Sequence, residues 1–161
     1  IQFIINGAIK EAGLLLLLNK YIFNKTGFYP FGSKFNVRNA PKTINELVKL
    51  CRDKIPSQKM PLLIGVGDTV TSAKGCKSSS WLRGGSDRGF LTLVQRLGEL
   101  YEKENQVIFV NSSNDQVSRP RVNGSDMKGI SDPYDDLKFN LIIKDGPEEY
   151  IDWFKKLSIH F

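Results

Sequence analysis

The sequence predicts an α/β fold, a mainly parallel sheet flanked by helices, on three observations. Pro61-Leu62-Leu63-Ile64-Gly65-Val66 is a continuous apolar run bounded by proline and glycine, the pattern of a strand buried on both faces of a parallel sheet. Phe90, Leu91, Val94, Leu97 and Tyr101 then recur at helical spacing, and Gln106 to Val110 follows as a second strand. Strand, helix and strand in that order read as a right-handed crossover between parallel neighbours.

The other elements follow the same logic. Ile9 to Phe23 is rich in helix formers and predicts a helix stopped by Gly27, with Pro30 and Gly32 in the aromatic loop beyond it. Pro41 suits the first turn of a second helix, in which Ile44, Leu47, Val48 and Cys51 share one apolar face before Pro56 ends it. Gly67-Asp68 opens a loop at the carboxyl end of the first strand. Asn111 to Asp136 is a polar stretch longer than compact domains usually leave without secondary structure. Phe139 to Ile143 returns as a strand, and Pro147 to Leu157 closes as a helix with Tyr150, Ile151, Phe154 and Leu157 on one side. A chain of 161 residues builds one core, so residues 1–161 read as part of one domain, with 1–38 a helical or linking segment and 39–161 the sheet core.

Lys and Arg number 23 and Asp and Glu 17, a net charge of +6. Residues 1–60 hold ten basic and three acidic side chains and therefore carry +7; the remainder carries −1. Such a basic end can gather an anionic substrate, attract nucleic acid or a membrane, or simply be a solvated surface. Two cysteines, Cys51 and Cys76, without paired spacing suit reduced thiols in a cytoplasm. The five leucines Leu14 to Leu18 lie between Glu11 and Lys20, a run far short of the ~20 residues of a membrane span. The single histidine, His160, sits beside the terminus, which argues against a Ser-His-Asp triad. Gly65 and Gly67 lack the third glycine of a dinucleotide fingerprint, and no phosphate-binding Gly-Lys-Ser/Thr loop occurs.

Ligands of open α/β sheets bind beyond the carboxyl ends of the strands, where Asp68 falls. A carboxylate there is a hard oxygen ligand suited to Mg²⁺; capping the turn from Thr69 to Ser72 is the alternative role. Asp87 lies just before a helix between Arg83 and Arg88, as a second acid or a helix cap. Thr69, Thr71, Ser72 and Ser78 to Ser80 offer hydroxyls, most of them expected to be solvated loop residues.

Leu62-Leu63-Ile64-Gly65-Val66-Gly67-Asp68-Thr69-Val70-Thr71-Ser72, followed by Trp81 to Phe90, closely resembles the glucosylglycerol-phosphate phosphatases, the salt-tolerance phosphatases of cyanobacteria. The likeness extends to Glu11-Ala12-Gly13-Leu14-Leu15, Tyr29-Pro30-Phe31-Gly32, Ala40-Pro41-Lys42-Thr43 and Gly85-Ser86-Asp87-Arg88-Gly89-Phe90-Leu91. It implies a haloacid-dehalogenase-like fold and Mg²⁺-dependent hydrolysis of glucosylglycerol phosphate, releasing the osmoprotectant glucosylglycerol. In that superfamily an Asp attacks phosphorus, Mg²⁺ neutralises the phosphoryl oxygens and a Lys holds the charge. By resemblance Asp68 and Asp87 stand on the metal side, although Ser72 occupies the place where many relatives carry a second acid. Lys42, with Lys34 as competitor, is the phosphate-binding lysine, and Thr69, Ser72, Arg83 and Arg88 face the phosphate or sugar. No Asp-x-Asp strand precedes Ile9, so the chain is expected to be the C-terminal portion of a longer enzyme. Two other classes compete: a basic nucleic-acid-binding module, suggested by the positive first third and its aromatics, and a catalytically dead scaffold. The phosphatase reading expects a small sugar phosphate as partner, neither nucleic acid nor a membrane.

Overall fold

The computed structural model describes residues 10–76, 80–111 and 129–158. In chain order these form α1 (Lys10–Thr26), α2 (Ile44–Lys54), a 3₁₀ turn (Ser57–Lys59), β1 (Ile64–Gly67), β2 (Thr71–Lys74), β3 (Trp81–Gly84), α3 (Arg88–Tyr101), β4 (Gln106–Val110), β5 (Leu141–Ile143) and α4 (Pro147–Ser158). The α/β prediction holds. β1, β4 and β5 make a three-stranded sheet in the order β1-β4-β5, and both pairings are parallel.

Alternation along β4 decides which helix covers which face. Val107 and Phe109 join the larger core, where Leu14, Leu15, Leu18 and Ile22 of α1 and Leu47 and Cys51 of α2 meet Leu91, Val94 and Leu97 of α3. Ile108 and Val110 point the other way and join Ile143, Val66 and the Tyr150 and Trp153 rings of α4. Leu15, Leu91 and Leu97 are fully buried, and each such side chain contributes about 1.5–3 kcal/mol through burial. Burial also pushes the Cys51 thiol up to about 12, so it stays protonated and acts as a small apolar side chain.

Local chemistry explains the element boundaries. α1 ends at Gly27, whose φ of +73° is a left-handed conformation open to glycine and whose N–H bonds the Phe23 carbonyl at 2.7 Å. Asn19, buried in α1, pins the aromatic loop by accepting from Phe31 N at 2.9 Å and donating to Gly32 O at 3.0 Å. α2 starts later than Pro41 suggests. Its N-cap is Thr43, which forms a capping box with Glu46, so Pro41 and Lys42 precede the helix.

Two further expectations are corrected. β1 is not buried on both faces: Ile64 is 51% exposed, and among the described residues β1 pairs only with β4. The stretch read as loop hydroxyls is an antiparallel hairpin, β2 with β3, set between β1 and α3. Ser78 and Ser79 lie outside the described residues, as does most of the long polar stretch, residues 112–128. No helix among the described residues is long and apolar enough to cross a membrane.

Candidate active site

The parallel pairing of β1 with β4 brings their carboxyl ends side by side, and the chain leaves β1 through Gly67 into Asp68 and Thr69. A cleft of about 430 Å³ opens there, lined by Lys10, Val66, Gly67, Asp68, Asp87, Val110 and Tyr150. This is the end of the sheet where loops and helix starts converge in α/β folds.

Asp87 organises the turn after β1. It occupies the N-cap position of α3 but makes no side-chain cap bond there. Its Oδ2 accepts from the backbone N–H groups of Asp68 and Thr69, both at 3.0 Å, while its own N–H donates to Thr69 O at 3.1 Å. Its Oδ1 receives the Lys10 ammonium. Both carboxylate oxygens of this 5%-exposed residue therefore take donors. The Asp68 carboxylate in turn accepts from Thr69 Oγ1 at 2.6 Å.

Glycines permit this close approach. A Cβ on Gly67 would lie 2.8 Å from Asp87 Cβ and 3.0 Å from Leu91 Cδ1. Gly85 has φ +101°, and a Cβ there would sit 2.1 Å from Thr69 O, so the turn into α3 passes directly beneath the Asp68 loop. Gly89 leaves room for Glu11, since a Cβ there would fall 1.7 Å from Glu11 Oε1. The first turn of α1 thus seats on the first turn of α3 beside the cleft.

A second cluster lies next to it. Ser72, 1% exposed, donates to Asp132 Oδ2 at 2.6 Å, and Arg83 grips Asp132 with Nε and Nη2, both at 2.9 Å. Arg83 Nη2 also reaches Tyr134 O at 2.7 Å. Arg88 holds Asp135 through Nη1 at 2.9 Å and Nη2 at 2.8 Å, and donates to the carbonyls of Gly84, Thr71 and Ile130. The Arg83 fork, then the Ser72 hydroxyl and the Tyr134 N–H, keep the Asp132 carboxyl well below the usual carboxylate range against its burial. Burial raises the Asp135 carboxyl, but Arg88 and the Leu137 N–H outweigh it, and the net displacement is downward. These two forks tie the segment at 129–137 to the hairpin and α3. Thr69, Val70, Thr71 and Ile130 border a small cavity that also touches Asp68, Phe109 and Asn111.

The structure thus gathers Asp68 and Asp87 at one cleft, with Thr69 bonded to both, and places Ser72, Arg83 and Arg88 in the adjoining carboxylate network. Lys42 stands before α2 with Nζ 3.4 Å from Val37 O, and it does not line the cleft. Sequence reasoning missed Lys10, Asp132 and Asp135. Asp132 and Asp135 lie 49 and 47 residues from Arg83 and Arg88, a separation that local spacing does not bridge, and nothing at Lys10 distinguishes it from other helix lysines.

Among the described residues no group of three or more His, Cys, Asp or Glu side chains is arranged to hold a metal. Mg²⁺ commonly takes only one or two protein carboxylates and completes its shell with water and phosphate. Asp68, a hard oxygen donor at the mouth of the cleft, fits that demand. Asp87, with donors on both oxygens, fits the task of fixing the Asp68 loop.

Comparison with known proteins gives this geometry a context. The chain is 37% identical over 178 aligned positions to a glucosylglycerol-phosphate phosphatase of Synechocystis sp. (strain ATCC 27184 / PCC 6803 / Kazusa), with 99% of this chain and 42% of the relative covered. The chain therefore spans less than half the length of that relative. No solved structure matches it. The profile of the glucosylglycerol-phosphate phosphatase family matches residues 1–158, nearly the whole sequence, and the chain belongs to that family.

Proposed function

We propose that this chain supplies the metal-side half of a Mg²⁺-dependent phosphomonoesterase site that hydrolyses glucosylglycerol 3-phosphate to glucosylglycerol and phosphate. The observation that carries the reading is Asp68, fixed at the carboxyl end of β1 by the Asp87 and Thr69 bonds and facing a cleft, in a member of this phosphatase family. A haloacid-dehalogenase-like fold accords with the parallel sheet and with an acid at that strand end, and its attacking Asp would come from outside residues 10–158.

Asp68 would hold Mg²⁺, which when bound supplies positive charge to the phosphoryl oxygens. Asp87 sets the direction of the Asp68 backbone and, with Thr69, limits the freedom of its carboxylate, so the ligand is preorganised before substrate arrives. Arg83, Arg88 and Ser72 act on the site by fixing the segment at 129–137 against the hairpin, which makes one wall beside the Asp68 loop. Lys42 and Lys34 carry part of the basic surface of the first sixty residues, which attracts a phosphate dianion at long range.

The test is phosphate release by the full-length protein from glucosylglycerol 3-phosphate, glucose 6-phosphate and glycerol 3-phosphate across a Mg²⁺ titration. Release that requires Mg²⁺ and favours the glucosylglycerol ester supports the proposal. Equal rates on all three esters would remove the substrate assignment, and no release from any would remove the phosphatase reading.

A further inference from the structure

We infer that Tyr150 sets the selectivity of the Asp68 cleft by packing its ring against the glucosyl part of the substrate. The inference rests on the phosphatase reading for the identity of the ligand; the placement of Tyr150 stands on separate observations.

The cleft has two unlike sides. Lys10, Asp68 and Asp87 bring charge, whereas Val66, Val110 and Tyr150 bring apolar surface, and Tyr150 is the one aromatic residue among those lining it. At about 430 Å³ the cleft is of the size that encloses a small organic molecule, so it has room for more than a phosphoryl group. The charged side suits metal and phosphate, which leaves the apolar side for the organic part. A pyranose offers C–H faces edged with hydroxyls, and tyrosine answers with an apolar ring and one polar tip. Tyr150 is half-buried, and among the described residues its hydroxyl has no hydrogen-bond partner, so that tip can donate to or accept from a sugar hydroxyl.

The fold holds Tyr150 in place without a ligand. It sits in the first turn of α4, with its N–H on the Gly146 carbonyl at 3.2 Å. Gly146 turns with φ +76°, and a Cβ there would fall 2.9 Å from the Asn111 carbonyl oxygen, so the start of α4 seats closely on the end of β4. Asn111 in turn donates through its N–H to Ile143 O at 2.8 Å and through Nδ2 to Lys144 O at 3.0 Å, which ties the carboxyl ends of β4 and β5 together. Phe154, one turn further along α4, backs the Tyr150 ring with centroids 4.6 Å apart at 52°, and Trp153 packs on Phe154 at 4.9 Å. The ring also packs against the buried cluster of Ile108, Val110 and Ile143. A side chain braced in this way loses little freedom when a ligand packs on it, so more of the contact appears as discrimination between ligands.

The experiment compares the full-length parent with Tyr150→Leu, Tyr150→Phe and Tyr21→Leu in the presence of Mg²⁺. It reads kcat and KM on glucosylglycerol 3-phosphate and on glycerol 3-phosphate, melting curves, and binding of free glucosylglycerol by titration calorimetry. Tyr21, 45% exposed on α1 and not among the cleft residues, controls for loss of a tyrosine. Tyr150→Leu is expected to lower kcat/KM on the glucosyl ester at least about tenfold, through KM, to weaken glucosylglycerol binding by a like factor, and to leave glycerol 3-phosphate within about twofold of the parent. Tyr150→Phe should lose about threefold on the glucosyl ester alone, the effect of one neutral hydrogen bond, and Tyr21→Leu should match the parent. A folded Tyr150→Leu protein that loses both esters equally, or neither, would overturn the inference. Should the leucine variant melt early, Tyr150→Phe decides, and selectivity between the two esters equal to that of the parent would overturn it. Tyr150-dependent binding of glucosylglycerol in a protein that hydrolyses neither ester would keep Tyr150 in place and remove the phosphatase reading; hydrolysis whose selectivity is indifferent to Tyr150 would do the reverse.

Discussion

Replacing Asp87 with alanine should loosen the Asp68 turn far more than replacing it with asparagine. The structure supplies the magnitude. Asp87 Oδ2 accepts from two backbone N–H groups at 3.0 Å, and the residue is only 5% exposed. A hydrogen bond to a charged acceptor contributes about 1.5–3 kcal/mol, and 1.4 kcal/mol is a factor of ten in an equilibrium. Asp87→Ala should therefore speed amide exchange at Asp68 and Thr69 roughly 10- to 100-fold by freeing both donors. Asparagine keeps one carbonyl oxygen that can take both N–H groups, so its effect should stay under about tenfold. It also loses the Lys10 pair, but Lys10 is half exposed, and such a pair is worth at most about 1 kcal/mol. Hydrogen exchange followed by mass spectrometry of the full-length protein, on peptides spanning residues 66–70, reads the difference directly. Exchange unchanged in Asp87→Ala would refute the bracing role. Exchange as fast in asparagine as in alanine would show that charge, and not acceptor geometry, holds the loop.

Three further outcomes follow from the same structure. Gly67→Ala forces a methyl to 2.8 Å from Asp87 Cβ; it should destabilise by about 1–3 kcal/mol and reproduce part of the Asp87→Ala exchange pattern. Arg88→Met strands the Asp135 carboxylate, whose side chain is 3% exposed; a denaturant midpoint should register a loss of about 3–5 kcal/mol. Asp132 and Asp135 both titrate below the ordinary carboxylate range, so the stability they contribute is complete above the unfolded value of about 4 and lost as pH falls through the folded values. Denaturation midpoints should be level from pH 6 to about 4.5 and drop below that, with a shallower drop in Arg88→Met; a flat profile down to pH 3 would contradict the role given to the two forks.

Periodic segments were the legible ones. The apolar faces of α2, α3 and α4 and the run ending in Gly67-Asp68 carry their geometry in local spacing, and β4 falls on Gln106 to Val110 as its composition indicates. The β2–β3 hairpin was not legible, because Thr71-Ser72-Ala73-Lys74 and Trp81-Leu82-Arg83-Gly84 alternate weakly and only Ser72 of β2 is buried. The start of α2 was misplaced because proline suggests a first turn, while the Thr43 and Glu46 capping box decides it two residues later. At the site, Asp68 could be located from its strand, since strand ends lie where ligands bind. The ties that fix it could not: Lys10 to Asp87 spans 77 residues and Arg83 to Asp132 spans 49, and local sequence does not encode such pairings. Asp87 shows the limit most clearly. Its place before α3 suggested a cap, and only the fold reveals that its carboxylate accepts from the backbone of the neighbouring loop instead.

The most direct test of the account is phosphate release from glucosylglycerol 3-phosphate with Mg²⁺ by the full-length protein beside its Asp68→Ala variant, with melting curves of both. The account predicts hydrolysis by the parent and its loss in Asp68→Ala at unchanged melting temperature. Hydrolysis that survives in a folded Asp68→Ala protein would contradict the placement of the site at the end of β1.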